Sequence, residues 1–178
     1  MRAKPSDRPL NTSWMLLLDL DGTLWDHLDI SSLSPPFRRV SEDVIEDSRG
    51  VRVRIYGYMV DLARWARSIG AMVVSLSWND PEIAMEALRA FKVDVIFDYH
   101  IIEPHPWKGR ALARFLKETG ILIPPERMIY FDDREIHLDD IYTNVGRVKY
   151  VKSHVDCRGF ESCRRLVASL LGLQLHRS

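Results

Sequence analysis

A chain of 178 residues can close one substantial hydrophobic core but is short for two, so a single domain spanning 1–178 is expected. Hydrophobic residues at 46% and charged residues at 28% exclude a disordered, fibrous or membrane-embedded protein. Lys plus Arg and Asp plus Glu balance at 25 each, so no whole-molecule field attracts polyanions; nucleic acid is excluded as a default partner, and an anionic substrate must be captured by a local site.

Residues 1–13 are polar, carry Pro5 and Pro9 and lack an apolar signal core, and no later run reaches the length of a membrane span. A cytoplasmic protein with no membrane partner is the simplest reading. The continuous apolar run Trp14 to Leu18 predicts a strand buried on both faces of a parallel sheet, with Asp19 directly after it. From Asp26 to Tyr56 there is no helical period. Val51 to Ile55 alternates apolar and polar residues, and with Glu46 to Gly50 as a turn it predicts a β-hairpin insert over 26–57. Val60, Leu62, Ala63, Ala66 and Ile69 recur at helical spacing between Tyr58 and Gly70, followed by a strand Ala71 to Val74. Asp80 as cap and Pro81 as first residue open a helix through Phe91, and Val93 to Phe97 reads as a third strand. A helix from about Lys108 to Thr119 stopped by Gly120, a strand Met128 to Phe131, a short helical stretch, a strand Val148 to Val151 and a closing helix Glu161 to Leu171 complete the pattern. Cys157 and Cys163 cannot build a disulfide framework or a four-ligand zinc site unaided, and read as small, free apolar residues.

Strands alternating with helices imply an α/β fold: a mainly parallel sheet with right-handed crossovers and helices on both faces. Ligands bind such sheets beyond the carboxyl ends of the strands. Three polar groups follow strands and should converge there: Asp19 and Asp21, then Ser75 to Asn79, then Asp132 and Asp133. The run Asp19-Leu20-Asp21-Gly22-Thr23 sets two carboxylates two residues apart at the end of a buried strand. A phosphate monoester is a dianion, so a carboxylate that attacks it needs a divalent cation and fixed donors to neutralise the site. Mg²⁺ takes oxygen ligands and suits two or three carboxylates, for which Asp132 and Asp133 are the natural partners of Asp19. The Ser77 hydroxyl, with the backbone N–H groups of Trp78 and Asn79, is suited to phosphate oxygens, with Ser75 as its competitor. Lys108 opens a helix, where an ammonium opposes the macrodipole, so its place there calls for another reason such as binding phosphate and Asp19. Arg52 and Arg54, on one face of the hairpin, either bring positive charge to the entrance or blunt an exposed strand. Trp25, Trp78 and Trp107 each follow a predicted strand end, which suggests an aromatic-lined mouth.

In this order the residues resemble the four motifs of the haloacid dehalogenase superfamily, from about Met15 to Val151: DxDGT, a Ser or Thr after the second strand, a Lys, and an acidic pair after a later strand. Asp21-Gly22-Thr23-Leu24-Trp25, Ser34-Pro35-Pro36-Phe37, Phe131-Asp132-Asp133 and the hairpin resemble the branch of small magnesium-dependent phosphatases, which has no large cap. The resemblance implies a Rossmann-like three-layer core and phosphoaspartate chemistry. Asp19 would be the nucleophile and Asp21 the general acid and base. Asp19, the backbone carbonyl of Asp21 and Asp132 or Asp133 would hold Mg²⁺, Ser77 and Lys108 would fix the phosphoryl group, and Asp140 would assist from behind. It implies a substrate that is a phosphorylated small molecule, such as a sugar phosphate, or a phosphotyrosine-like group on a protein. A phosphotransferase or a noncatalytic phosphoryl-binding module is the alternative. The branch usually has Arg where this chain has Trp78, and Asn where it has His137.

Overall fold

The computed structural model describes residues 12–174. The reading of the N-terminal residues therefore lies, up to residue 11, outside the described residues. The first strand, β1 (Trp14–Leu18), is buried along its whole length. Then come β2 (Arg38–Arg39), β3 (Val44–Glu46) and β4 (Arg52–Arg54), α1 (Gly57–Ser68), β5 (Ala71–Trp78), α2 (Pro81–Phe91), β6 (Tyr99–Glu103), α3 (Lys108–Thr119), β7 (Met128–Asp132), α4 (Leu138–Asn144), β8 (Lys149–Lys152) and α5 (Phe160–Leu171).

Five of these strands form one sheet in the order β6-β5-β1-β7-β8, and every neighbouring pair is parallel. Side chains alternate across a strand, so β1 feeds two cores. Trp14, Leu16 and Leu18 pack with residues of α1, α2 and α5, while Met15 and Leu17 pack with residues of α3 and α4. Burial of each such side chain contributes about 1.5–3 kcal/mol before conformational entropy is subtracted. β1 is central, the chain builds outward through β5 and β6, and it then crosses to the other side of β1 for β7 and β8. A reversal of this kind opens a crevice beyond the carboxyl end of β1.

Residues 26–57 carry the expected hairpin, β3 against β4, and the short β2 extends it to a three-stranded antiparallel sheet. Asp47 sets its turn. The carboxylate accepts backbone N–H bonds from Ser34, Arg49 and Val51 at 3.0, 2.9 and 2.8 Å. Arg52 and Arg54 are exposed but already paired, with Glu46 and Asp43. The third strand is shifted from its expected position. Val93 to Phe97 is a turn with a 3₁₀ segment at Asp94–Ile96, and the strand is Tyr99–Glu103. Lys92 ends α2 in the left-handed conformation, and Val93, Ile96 and Phe97 then close the bottom of the core, so their apolar character comes from plugging it rather than from a ladder.

Cys157 and Cys163 are buried as expected but are not free: they form a disulfide, with their Cα atoms 5.0 Å apart, between the loop after β8 and the first turn of α5. No helix among the described residues is long and apolar enough to cross a membrane.

Candidate active site

Leu18 at the end of β1 pairs with Phe131 near the end of β7, so these two strands end almost level, while β5, paired with Leu18 at Ser75, runs three residues further to Trp78. Asp19 and Asp132 therefore emerge side by side, and the Asp19 N–H donates to the Phe131 carbonyl at 2.9 Å. Between them lies the ammonium of Lys108, 2% exposed, 2.7 Å from Asp19 Oδ1 and 2.7 Å from Asp132 Oδ2. Its third neighbour is the Tyr130 hydroxyl at 3.1 Å. Burial pushes the Asp19 carboxyl up to about 7 against the pull of Lys108, with the Asp132 charge adding to the rise. Burial also works to raise Asp132, but the Lys108 charge and hydrogen bond hold it below the usual carboxylate range.

Lys108 opens α3, and the start of that helix is satisfied from another element. Asp140 of α4 accepts from the Gly109 and Arg110 N–H groups at 2.6 and 3.3 Å. A β-carbon built on Gly109 would come within 2.2 Å of the Asp140 carbonyl oxygen, so α3 and α4 meet backbone to backbone at the residue after Lys108.

Asp21 sits in a separate socket. Its Oδ1 accepts from Trp25 Nε1 at 2.7 Å and from the Ile30 N–H at 3.2 Å, and its Oδ2 from Asn79 Nδ2 at 2.9 Å. Burial raises its pKa, and these three hydrogen bonds oppose the rise. Asn79 Nδ2 also donates to Ser77 Oγ at 3.1 Å, and Asn79 Oδ1 accepts from Ser31 Oγ at 2.5 Å. Gly22 turns the chain at φ +66°, and a β-carbon there would lie 2.7 Å from Asp133 Oδ2, so this position needs both the left-handed backbone and the missing side chain.

A family model described as acid phosphatase matches residues 12–159. The chain belongs to the acid phosphatase family. It is 30% identical over 128 residues to human magnesium-dependent phosphatase 1, covering 71% of each chain. The fold is that of the haloacid dehalogenase superfamily. A superfamily hydrolase from Ehrlichia chaffeensis matches with a TM-score of 0.59 at 10% identity, over 90% of this chain and 100% of that one. The 3-deoxy-D-manno-octulosonate 8-phosphate phosphatase of Moraxella catarrhalis matches with a TM-score of 0.53 at 16% identity, over 92% and 88%.

The phosphatase has a donor set that fits a hard divalent cation. Carboxylate oxygens of Asp19, Asp132 and Asp133 lie within 4.8 Å of one another. Asp19 Oδ2 is buried without a hydrogen-bond partner, an arrangement that a bound cation would relieve, and Asp133 Oδ1, also without a hydrogen bond, has the Arg134 guanidinium 3.7 Å away. The Asp21 side chain stands outside this group, its oxygens taken by Trp25, Ile30 and Asn79.

Of the expected phosphate-binding residues, Lys108 is at the centre and Ser77 is buried beside Asp21 and Asn79. Its competitor Ser75 is engaged with His100 Nδ1 at 2.9 Å. The Asn79 backbone N–H is bonded to the Glu103 carbonyl at 3.0 Å rather than left for a phosphate oxygen. Trp25 is not part of the mouth: it is fully buried, stacks on Phe91 and donates to Asp21. Trp78 and Trp107 are 42% and 47% exposed, adjacent in sequence to Ser77 and Lys108. His137 is buried, with Nδ1 3.1 Å from the Pro106 carbonyl and its ring edge-on to Trp78. Burial and the Lys108 charge lower it to about 4, so it is neutral at pH 7.

Residue patterns missed the side chains of Trp25 and Asn79 as the holders of Asp21, the hydroxyl of Tyr130 and the closeness of Gly109 to Asp140. The one usable signal was the position of Trp25 four residues after Asp21.

Proposed function

We propose that the protein is a Mg²⁺-dependent phosphomonoester hydrolase that works through a phosphoaspartate at Asp19. The observation that carries this is the buried Asp19: Lys108 fixes one of its oxygens and the other has no hydrogen-bond partner, with Asp21 a short step along the loop in its own socket. Asp19, the backbone carbonyl of Asp21, Asp132 and Asp133 would hold the cation, which when bound offsets the charge of the phosphate and its attacking carboxylate. The names of two similar proteins support the metal: the human relative is called magnesium-dependent, and the Moraxella structure contains magnesium and phosphate ions.

An Asp19 oxygen attacks phosphorus, forming an acyl phosphate, as the bond from phosphorus to the leaving oxygen breaks; Asp21 gives that oxygen its proton. Asp21, now a carboxylate, takes a proton from water as the water oxygen attacks phosphorus. Inorganic phosphate leaves and the Asp19 carboxylate is restored. The raised pKa of Asp21 suits the first role, and its three donors stabilise the carboxylate needed for the second. Ser77 and the Trp78 backbone N–H hold phosphoryl oxygens, while Lys108, its three protons taken by Asp19, Asp132 and Tyr130, supplies positive charge beside them.

The substrate is a phosphorylated small molecule or a phosphotyrosine-like group, and the rim favours an aromatic leaving group over a sugar. Trp78 at the end of β5, and Leu28, Trp107 and Ile136 in the segments that follow β1, β6 and β7, are exposed, and they offer apolar contact where a sugar would need donors and acceptors. A noncatalytic phosphoryl-binding module has no use for the Asp21 socket. The test is phosphate release from aryl phosphates, sugar phosphates, nucleotides and phosphotyrosine peptides, with and without Mg²⁺, in wild type and Asp19→Asn. Release requiring both Mg²⁺ and Asp19 is expected; release that survives Asp19→Asn would remove the phosphoaspartate from the mechanism.

A further inference from the structure

We infer that Tyr130 is a positioning residue for the reaction, holding the Lys108 ammonium in place between Asp19 and Asp132. The inference rests on the phosphatase reading above for its kinetic consequence, though not for its geometry. Tyr130 and Asp132 are two residues apart on β7, so their side chains share the face that packs against α3. The phenol runs along the strand, and its hydroxyl donates to Asp132 Oδ2. The same hydroxyl accepts from Lys108 Nζ at 3.1 Å.

An ammonium has three protons to donate. Those of Lys108 are matched by three acceptors: Asp19 Oδ1, Asp132 Oδ2 and the Tyr130 oxygen. Two carboxylates alone leave the nitrogen free to rotate and to slide toward either one. The neutral third acceptor fixes the tripod without adding charge. Asp132 gains as well, since Oδ2 takes two donors while Oδ1 takes the Arg134 N–H at 2.8 Å, leaving that carboxylate little freedom to turn. Tyr130 thus fixes both partners of Asp19 while its ring sits fully buried in the α3 and α4 core.

Tyr130→Phe keeps the ring in the core and removes only the oxygen. In its crystal structure Lys108 Nζ is expected to have left hydrogen-bond distance of Asp19 or Asp132. Turnover should fall about ten-fold, the lower end for loss of a supporting contact behind reactive groups, with KM nearly unchanged because no substrate contact is lost. Tyr150→Phe is the control: its hydroxyl donates to the Asp132 backbone carbonyl at 3.0 Å and does not touch the carboxylate, so its turnover should match wild type. An unmoved Lys108 in Tyr130→Phe, or a turnover equal to wild type, overturns the inference. A further measurement on the wild type needs no variant: an ammonium held by three acceptors gives a slowly exchanging side-chain NMR signal, and a rapidly exchanging one overturns it. If the wild type hydrolyses no phosphate ester, the phosphatase reading fails, while the crystal structure and the NMR signal still decide the role of Tyr130.

Discussion

In the proposed mechanism Asp21 both gives up a proton and holds a negative charge, and its socket suits the two needs by different means. Burial favours the acid, while the Trp25, Ile30 and Asn79 donors favour the carboxylate. Asp21→Asn removes the proton but keeps an oxygen for Trp25 and Ile30, so the loop should stay folded once the Asn79 amide turns over. Turnover is expected to drop about 10²- to 10⁴-fold, the range for loss of a general acid, with little change in thermal midpoint. A steady-state assay beside a melting curve checks this, and a variant as active as wild type would exclude Asp21 from proton transfer. At the rim, Trp78→Ala should lower kcat/KM for an aryl phosphate about three- to ten-fold relative to a sugar phosphate, the equivalent of one aromatic contact. An unchanged ratio would mean that the leaving group does not touch Trp78. The charged residues of the site were legible in the sequence because an acid or a lysine beside a strand end is unexpected enough to need a reason. Trp25, Asn79 and Tyr130 were not, because a buried aromatic or amide is ordinary in a sequence, and its partners are set by a register between strands far apart in the chain.

At the scale of elements, the position of Lys108 depends on how α3 meets α4. The contact is made by backbone: Asp140 caps the first N–H groups of α3, and Gly109 lies against the Asp140 carbonyl. Gly109→Ala forces the two helices apart or shifts the first turn of α3. A loss of about 1–3 kcal/mol is expected from overpacking, and turnover should fall with it because Lys108 is the adjacent residue. Asp140→Ala should lose about 1 kcal/mol as a missing cap. Urea unfolding of both variants with parallel kinetics tests this, and a stable, fully active Gly109→Ala would show that the helices adjust freely. The helix range was readable from periodicity and Gly120, but this crossing was not, since no local pattern reports which backbone a glycine will meet. The same limit explains the misplaced third strand: Val93 to Phe97 is as apolar as a strand, and only packing distinguishes a plug from a ladder. The hairpin, in contrast, was legible through its alternation, and its turn makes a pH prediction. The backbone donors on Asp47 lower its pKa to about 2, below the ordinary value of 3.8. A depressed carboxylate stabilises the fold above the unfolded value, and this contribution is lost as pH falls through the folded one. Stability of the wild type should therefore decline between about pH 4 and pH 2 more steeply than that of Asp47→Asn, as read by denaturation at each pH.

Across the whole molecule, the groups of the proposed site lie just past β1, at the end of β7 and at the start of α3, so the site exists only when the central sheet is formed. The alternation of strands and helices in the sequence implies the order of elements, and the strand-end rule places the site beyond the carboxyl ends of the strands. Pairing of the two cysteines was not legible, because two cysteines six positions apart are equally compatible with free thiols. The disulfide links the loop after β8 to α5 on the face of the sheet away from α3, next to Val167 and the α1 side of the core. Such a bond persists in oxidising compartments and in the interiors of some hyperthermophiles, and an ordinary reducing cytoplasm does not preserve it. Its energetic value follows from the loop it closes: a sequence separation of 6 gives about 2 kcal/mol on the chain-entropy relation, modest because a short loop restricts the unfolded chain only slightly. Cys157→Ala with Cys163→Ala should lower urea stability by about that amount, with a further loss if the two alanines leave the α5 face loosely packed. Alkylation of the denatured wild type without reductant should label neither cysteine. Labelling of both would show free thiols, and the double variant would then report packing alone.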